Sequence, residues 1–441
     1  MIGFETLAIL MLVAFFVLLM LGLPVGVVLA VTGFTFGYIG FGATLFNLLP
    51  ARIYGVVTNY TLLAIPLFVF MGVMLEKSRL AEDLMEVLGL AAGGLRGGMA
   101  LAIILVGVLM GASTGIVGAT VVTLGLLTLP TLLRRGYDHG LACGAICASG
   151  TLGQIIPPSL VLILLADIMA ESVGTLFAAA LMPGLLLAGL YCLYVIGVGI
   201  VRPEAAPAIP AEERAAVSRR DLAGRLVRVV APPLSLIVAV LGSIIGGVAA
   251  PTEAASMGAL GSIVIAALAR RLSWATLRET VETTTRITAS VLFVLICAQV
   301  FALAFRGLRG EEIVQDLFAF LPGGVGADVW FFMLLIFVLG FFIEWIEISY
   351  IAVPLFLPIF TAAGVDKIWL ATMICVNLQT SFLTPPFGWA LFFLKGVAPP
   401  QVKTSELYRG IIPFVLLQIG ALVLVFFFPG LALWMPKVIG W

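Results

Sequence analysis

The chain has 441 residues, of which 62% are hydrophobic and 10% charged, and its mean hydropathy is +1.22. No soluble core needs that much apolar content, so the sequence describes a polytopic membrane protein. Its 23 basic and 23 acidic residues cancel, which gives no sign of a nucleic-acid partner.

In chain order, apolar runs separated by Gly, Pro or charge predict spans near 4–22, 25–44 and 50–75, then 98–133, 139–166 and 173–200. The first run has no charged segment before it and no small-residue cleavage site after it, so it is expected to be a span and not a cleaved signal. Residues 78–88 place charged and apolar side chains on opposite helical faces, as an interfacial helix does. Residues 202–228 break the hydrophobicity with three prolines and six arginines and are expected to form a solvated linker. A second series follows at 229–248, 253–269, 283–305, 328–363, 368–394 and 411–435, with 311–318 as its interfacial helix.

The second series repeats the first. Pro130, Gly136, Asp138, Cys147, Pro157 and Pro158 align without gaps on Pro358, Gly364, Asp366, Cys375, Pro385 and Pro386, at a constant shift of 228. Residues 1–201 and 229–441 therefore form two repeats joined by 202–228, the internal duplication common in secondary transporters.

Positive charge sets the orientation. With the linker cytoplasmic, the span count places both termini outside, and 17 of the 23 Lys and Arg residues fall inside. Arg96 and Arg134 flank 98–133 on the same side, so this stretch must enter and leave from the cytoplasm as a re-entrant hairpin. By the repeat, 328–363 is a hairpin from the other side. An odd number of crossings per half then makes the two repeats inverted in topology, an arrangement suited to alternating access.

The hairpin tips carry the chemistry. Backbone that leaves the helix at membrane depth survives only when buried in protein or lining a wet cavity. Gly115 and Gly118 permit a turn, and Ser113 and Thr114 offer oxygens for a hard cation such as Na⁺. The competing reading of the same residues is a glycine-rich packing face. Each hairpin is followed by a helix broken at paired prolines: Ser149, Gly150, Thr151 and Gly153 precede Pro157, while Gln379, Thr380, Ser381 and Thr384 precede Pro385. Proline removes a backbone donor and frees carbonyls beside these polar groups. Glu344, Glu347 and Ser349 mark the second tip, and a carboxylate at that depth is costly enough to be a functional candidate by default, Glu344 before Glu347. Arg286 is a possible contact for an anionic substrate, and snorkelling to the interface is its alternative.

Gly111-Ala112-Ser113-Thr114-Gly115 matches the Gly-x-Ser-x-Gly nucleophile pattern, but that motif belongs on a strand-to-helix turn. The only histidine, His139, lies in a loop far from it, out of reach of a general base. The five cysteines sit in apolar segments without a His or carboxylate and are expected to be core residues. No enzyme activity is expected.

The segment 64–72, the tip 111–120, Ile155-Ile156-Pro157-Pro158-Ser159, Pro251-Thr252-Glu253-Ala254-Ala255 and Thr384-Pro385-Pro386 together resemble the large membrane subunit of tripartite ATP-independent periplasmic (TRAP) transporters. The resemblance covers nearly the whole chain in the family's order. It implies an all-α, elevator-type ion transporter fold with a scaffold and a moving domain joined by interfacial arm helices. It implies Na⁺-coupled uptake of a small organic acid in a bacterial inner membrane, with no resident cofactor. It also implies a periplasmic substrate-binding protein and a separate small membrane subunit as partners. The family usually carries Asp where Glu344 stands; Glu keeps the charge and lengthens the reach. A self-sufficient organic-anion symporter driven by Na⁺ or H⁺ is the alternative.

Overall fold

The computed structural model describes residues 3–440 except 116, 213–217, 320–321 and 386; the side chains of Ser113, Thr114, Arg219 and Ala319 are also outside the described set. Among the described residues all regular structure is helical, and seven helices are long and apolar enough to cross a membrane, eight if one bent pair counts as a span.

The chain opens with α1 (Phe4–Met20) and α2 (Val25–Phe41), the latter begun by Pro24, whose fixed φ suits a helix start. Gly26, Gly33, Gly37 and Gly40 share one face of α2 and meet Phe293, Phe301, Ala304 and Leu308 on or next to α13 (Trp274–Gly307). A Cβ on Gly33 would stand 2.9 Å from the backbone nitrogen of Phe301, so these two helices touch backbone to backbone. In lipid, where apolar side chains gain little by leaving the solvent, small-residue seams of this kind hold helices together.

The stretch predicted as one span at 50–75 is a bent pair. α3 (Thr44–Val57) and the run from Thr61 through α4 (Ala64–Lys77) meet at 51°. Asn59 sits in the bend, its Oδ1 accepting from the Thr61 N–H at 2.9 Å and its Nδ2 donating to Asp167. α5 (Leu80–Ala92) follows as the first amphipathic helix.

The linker is shorter than its composition suggests, because α11 (Arg219–Ile245) begins inside it and Arg225 pairs with Glu86 of α5 at 2.6 Å. Arg, Leu and Ala are good helix formers, so the helix runs on past its apolar part. α12 (Pro251–Leu268) comes next, and α13 then starts at Trp274 instead of 283, its N–H of Thr276 capped by Ser273 at 3.0 Å. The final predicted span, 411–435, is two helices, α19 (Thr404–Phe427) and α20 (Gly430–Val438), parted at Pro429.

Two helix pairs turn back on themselves. The feet of α6 (Gly98–Thr114) and α7 (Val117–Arg134) meet: the Met99 N–H donates to the Tyr137 hydroxyl at 3.3 Å. The N–H groups of Gly97 and Asp138 donate to the neighbouring carbonyls of Ala206 and Ala205, each at 2.9 Å. In the second half, Phe332 of α15 (Gly324–Leu339) lies 5.3 Å from Phe360 of α16 (Trp345–Ala362), ring centre to ring centre. Each hairpin precedes a broken helix: α8 (His139–Thr151) with α9 (Leu160–Met169), and α17 (Lys367–Leu383) with α18 (Trp389–Val397). Asp138 and Asp366 cap α8 and α17 alike, each accepting an N–H three residues on at 2.9 Å. The halves interleave, with α7 packed on α18 and α16 packed on α9. α10 (Val173–Val201) and α14 (Gly310–Ala319) complete the set.

Candidate cation and substrate site

At the first tip, Gly115 takes a left-handed conformation (φ +61°) and donates its N–H to the Gly111 carbonyl at 3.0 Å, which closes α6. Only glycine adopts that backbone without penalty. Gly111 lies against Gly153 at the break after α8, where a Cβ on either would come within 2.6 Å of the other's Cα. Gly107 meets Ser149 in the same way, and Gly150 meets Val121 of α7. Gly118 faces the ring of Phe393 on α18. The tip is therefore pressed against both broken helices. The hydroxyls proposed at Ser113 and Thr114 lie outside the described side chains.

The second tip has a matching contact. A Cβ on Gly340 would strike the side chain of Ser381, so α15 ends against α17 as α6 ends against the break after α8. Glu344 is the N-cap residue of α16 but makes no side-chain capping bond, and it is half-buried. Glu347 is 5% exposed, and its Oε2 has no hydrogen-bond partner among the described residues. The hydroxyls of Ser349, Thr380, Ser381 and Thr384 turn back onto carbonyls of their own helices, at 2.7–3.0 Å. Such bonds use the proton and leave oxygen lone pairs free to accept. Pro385 is half-buried beside them.

Between the broken helices lies a buried polar group that joins the two halves. Gln379 Nε2 donates to Thr151 Oγ1 at 3.2 Å, and Gln418 Nε2 of α19 approaches the same oxygen at 3.5 Å. Tyr191 of α10 is fully buried beside them, and its hydroxyl, Gln379 Oε1 and Gln418 Oε1 have no partner among the described residues. Gln154, also fully buried, has neither end of its amide bonded there, while its carbonyl accepts from Cys375 Sγ at 3.1 Å. Pro157 is buried within the same break.

Over residues 12–431 the chain matches the family described as the tripartite ATP-independent periplasmic transporter, DctM component. It belongs to that family. It is 31% identical over 400 residues to the C4-dicarboxylate TRAP transporter large permease protein DctM of Pseudomonas aeruginosa, covering 89% of this chain and 90% of that one. It is 30% identical over 380 residues to the ectoine/5-hydroxyectoine large permease protein UehC of Ruegeria pomeroyi, covering 85% and 86% of the two chains. Its fold is similar to that of the solved Alcanivorax borkumensis YdaH transporter, at a TM-score of 0.62 and 16% identity, covering 88% of this chain and 89% of that one. The chain is thus a TRAP large permease, a transporter and not an enzyme. Membership weighs against the self-sufficient alternative.

The permease also has polar sites that the sequence reading did not single out. Gln418 is a lone amide in an apolar span, and that isolation is a signal in the sequence; Tyr191, close to Tyr194, has none. A pair of adjoining cavities, of about 280 and 240 Å³, lies where α3 and α13 face α9 and α16. Arg52, Asp167, Gln299 and Tyr350 line both, and Arg306 lines the second. The Tyr350 hydroxyl donates to Asp167 at 3.1 Å, while Arg306 pairs with Glu311 at 2.8 Å. Arg52 forms no ion pair or side-chain hydrogen bond with a described residue. On the tip half of α7, the Thr123 hydroxyl approaches Glu76 of α4 at 3.4 Å. Arg286 lies exposed on α13, likewise without a hydrogen bond or ion pair to a described residue and away from these cavities. His139 sits 3.1 Å from Glu406, a helix length of about 27 Å from the first tip.

Proposed function

We propose that this TRAP large permease couples the inward movement of Na⁺ to the uptake of a small organic acid anion. The acid is delivered by a periplasmic binding protein, and the permease works with a separate small membrane subunit. The observation that carries the reading is Glu347, a carboxylate 5% exposed at a hairpin tip with one oxygen free of any described partner. A buried charge in that state calls for a cation, and hydroxyl and amide oxygens stand on the facing broken helix. Na⁺ suits such a set because it takes neutral oxygen ligands alongside one charge.

The organic acid is read from the chemistry that the relatives' names declare and from Arg52, a cation without an ion pair among the described residues, on the wall of a cavity between α3, α13 and the hairpin domain. In the orientation given by positive charge, that cavity opens outward, where a binding protein would release its cargo. Alternation follows if α6–α9 and α15–α18 move as one body past α4 and α13, as an elevator does.

The test is reconstitution of the permease with its small subunit and candidate binding proteins, with uptake measured in the presence and absence of a Na⁺ gradient. Uptake that needs both supports the reading. Uptake that persists without a binding protein overturns the tripartite assembly, and uptake indifferent to Na⁺ overturns the coupling.

A further inference from the structure

Where the feet of the first hairpin meet the ends of α10 and α19, a groove of about 930 Å³ opens on the protein surface. Its inner wall is apolar and small: Gly197 and Val198 of α10, Leu141 of α8 and Pro413 of α19. At its mouth stand four charged residues, Asp138, Arg202, Glu406 and Arg409. The formal charges cancel, but the engagements do not. Asp138 is occupied as the cap of α8, accepting from the Leu141 N–H at 2.9 Å. Glu406 accepts from the Lys403 N–H at 2.9 Å and sits 3.1 Å from His139 Nδ1. Arg202 and Arg409 are both exposed, and neither forms an ion pair or side-chain hydrogen bond with a described residue. Two guanidinium forks are therefore left as donors at the mouth of an apolar slot.

We infer that this groove binds one anionic phospholipid, with Arg202 and Arg409 holding the phosphate and an acyl chain lying along Gly197 and Val198. The guanidinium fork matches two phosphate oxygens, which makes arginine the usual partner for that group. Basic pockets between the ends of membrane helices are where such headgroups dock. The apolar continuation distinguishes a lipid from a free anion, because a soluble phosphate would gain nothing from Val198 or Pro413. On the orientation proposed above the groove belongs to the inner leaflet, yet the binding does not depend on the transported substrate.

The groove also offers a clean steric probe. A Cβ on Gly197 would meet nothing within 4 Å, so a large side chain there fills the slot without disturbing the fold. Native mass spectrometry of the full chain with its small subunit, titrated with phosphatidylglycerol or phosphatidylcholine, reads the binding directly. Phosphatidylglycerol adducts should outlast phosphatidylcholine adducts about tenfold in the unaltered protein, because both lipids offer the phosphate but only choline sets a second cation beside the two guanidinium groups. The pair Arg202→Gln and Arg409→Gln should remove that preference, Arg202→Lys and Arg409→Lys should keep part of it, and Gly197→Phe should displace both lipids. Millimolar inorganic phosphate should leave the phosphatidylglycerol adduct in place. Equal retention of the two lipids by the unaltered protein would overturn the inference. So would retention unchanged in the Gln pair that still runs as a single species on gel filtration, or displacement by phosphate.

Discussion

Thr151 and Gln379 are joined by a hydrogen bond of 3.2 Å and stand 228 positions apart. That separation is the shift that brings the prolines of the two halves into register. Residues related by a pseudo-two-fold can touch each other only where both approach the axis. The bond is what such an axis, placed between α8 and α17, would require, and it ties one half of the chain to the other. Because Tyr191 and Gln418 crowd the same point, the junction is polar although every one of these side chains is fully buried.

Removing Thr151 should weaken the protein by more than one hydrogen bond is worth, because Thr151→Val strands two amides at a cost of about 1–3 kcal/mol each. Gln379→Leu should cost less, since Thr151 keeps its bond to the Ala148 carbonyl. A double-mutant cycle read by thermal unfolding in detergent should give a coupling of about 1 kcal/mol between the two sites. Strict additivity would mean that the contact carries no energy.

Glu347 and Glu344 should separate in transport assays. With Glu347 buried and one oxygen unmet, Glu347→Gln should lower Na⁺-driven uptake by about tenfold or more, since a charged ligand contributes roughly 1.5–3 kcal/mol. Glu344 is half-buried and makes no capping bond, so Glu344→Gln should have the smaller effect. Uptake measured against Na⁺ concentration checks the order, and a reversed order would move the ion ligand to Glu344.

The contact between Thr123 of α7 and Glu76 of α4 should break each time the hairpin domain moves. Cysteines placed at 76 and 123 and bridged by a short thiol reagent should arrest uptake, and reductive release should restore it. The native cysteines are buried or half-buried and are poor competitors for the reagent. A bridged protein that transports at full rate would remove α4 as a fixed rail.

Arg52 should act on capture and not on turnover. Arg52→Gln is expected to raise KM by about threefold to tenfold with little change in kcat, and the difference should shrink at high salt. Initial rates at low and high ionic strength test this.

The backbone of the scaffold seam sets the last expectation. Gly33→Val would press a branched side chain onto the Phe301 backbone and should cost about 1–3 kcal/mol or block assembly. Gly189→Ala, where a Cβ meets nothing within 4 Å, should stay within about 0.5 kcal/mol. Heated gel filtration with fluorescence detection distinguishes the two.

How far the sequence went depended on whether the cause was local. Arg96 and Arg134 announced the hairpin because charge cannot be left in lipid, and the Tyr137 bond to Met99 closes its feet where they pointed. The paired prolines announced the broken helices for an equally local reason. The bend at Asn59 was not legible, since it is held by Asp167 from another part of the fold. The cavity around Arg52 was hidden for the same reason: its walls come from four helices far apart in the chain. Charge placed 219–228 in solvent, where most of these side chains stand, but it did not show that helix propensity carries α11 back to Arg219.

The strap at Ala205 and Ala206 has one more implication. Its carbonyls bind both feet of the first hairpin, and Ile209, 4% exposed, donates its N–H to Gly93 at 2.7 Å. Among the described residues, the clasp of the first hairpin is made by the opening of the linker, at 205–209. A chain severed beyond the strap would still carry that clasp on its first fragment. The two pieces, produced as separate polypeptides, would each bring a finished hairpin to their reassembly.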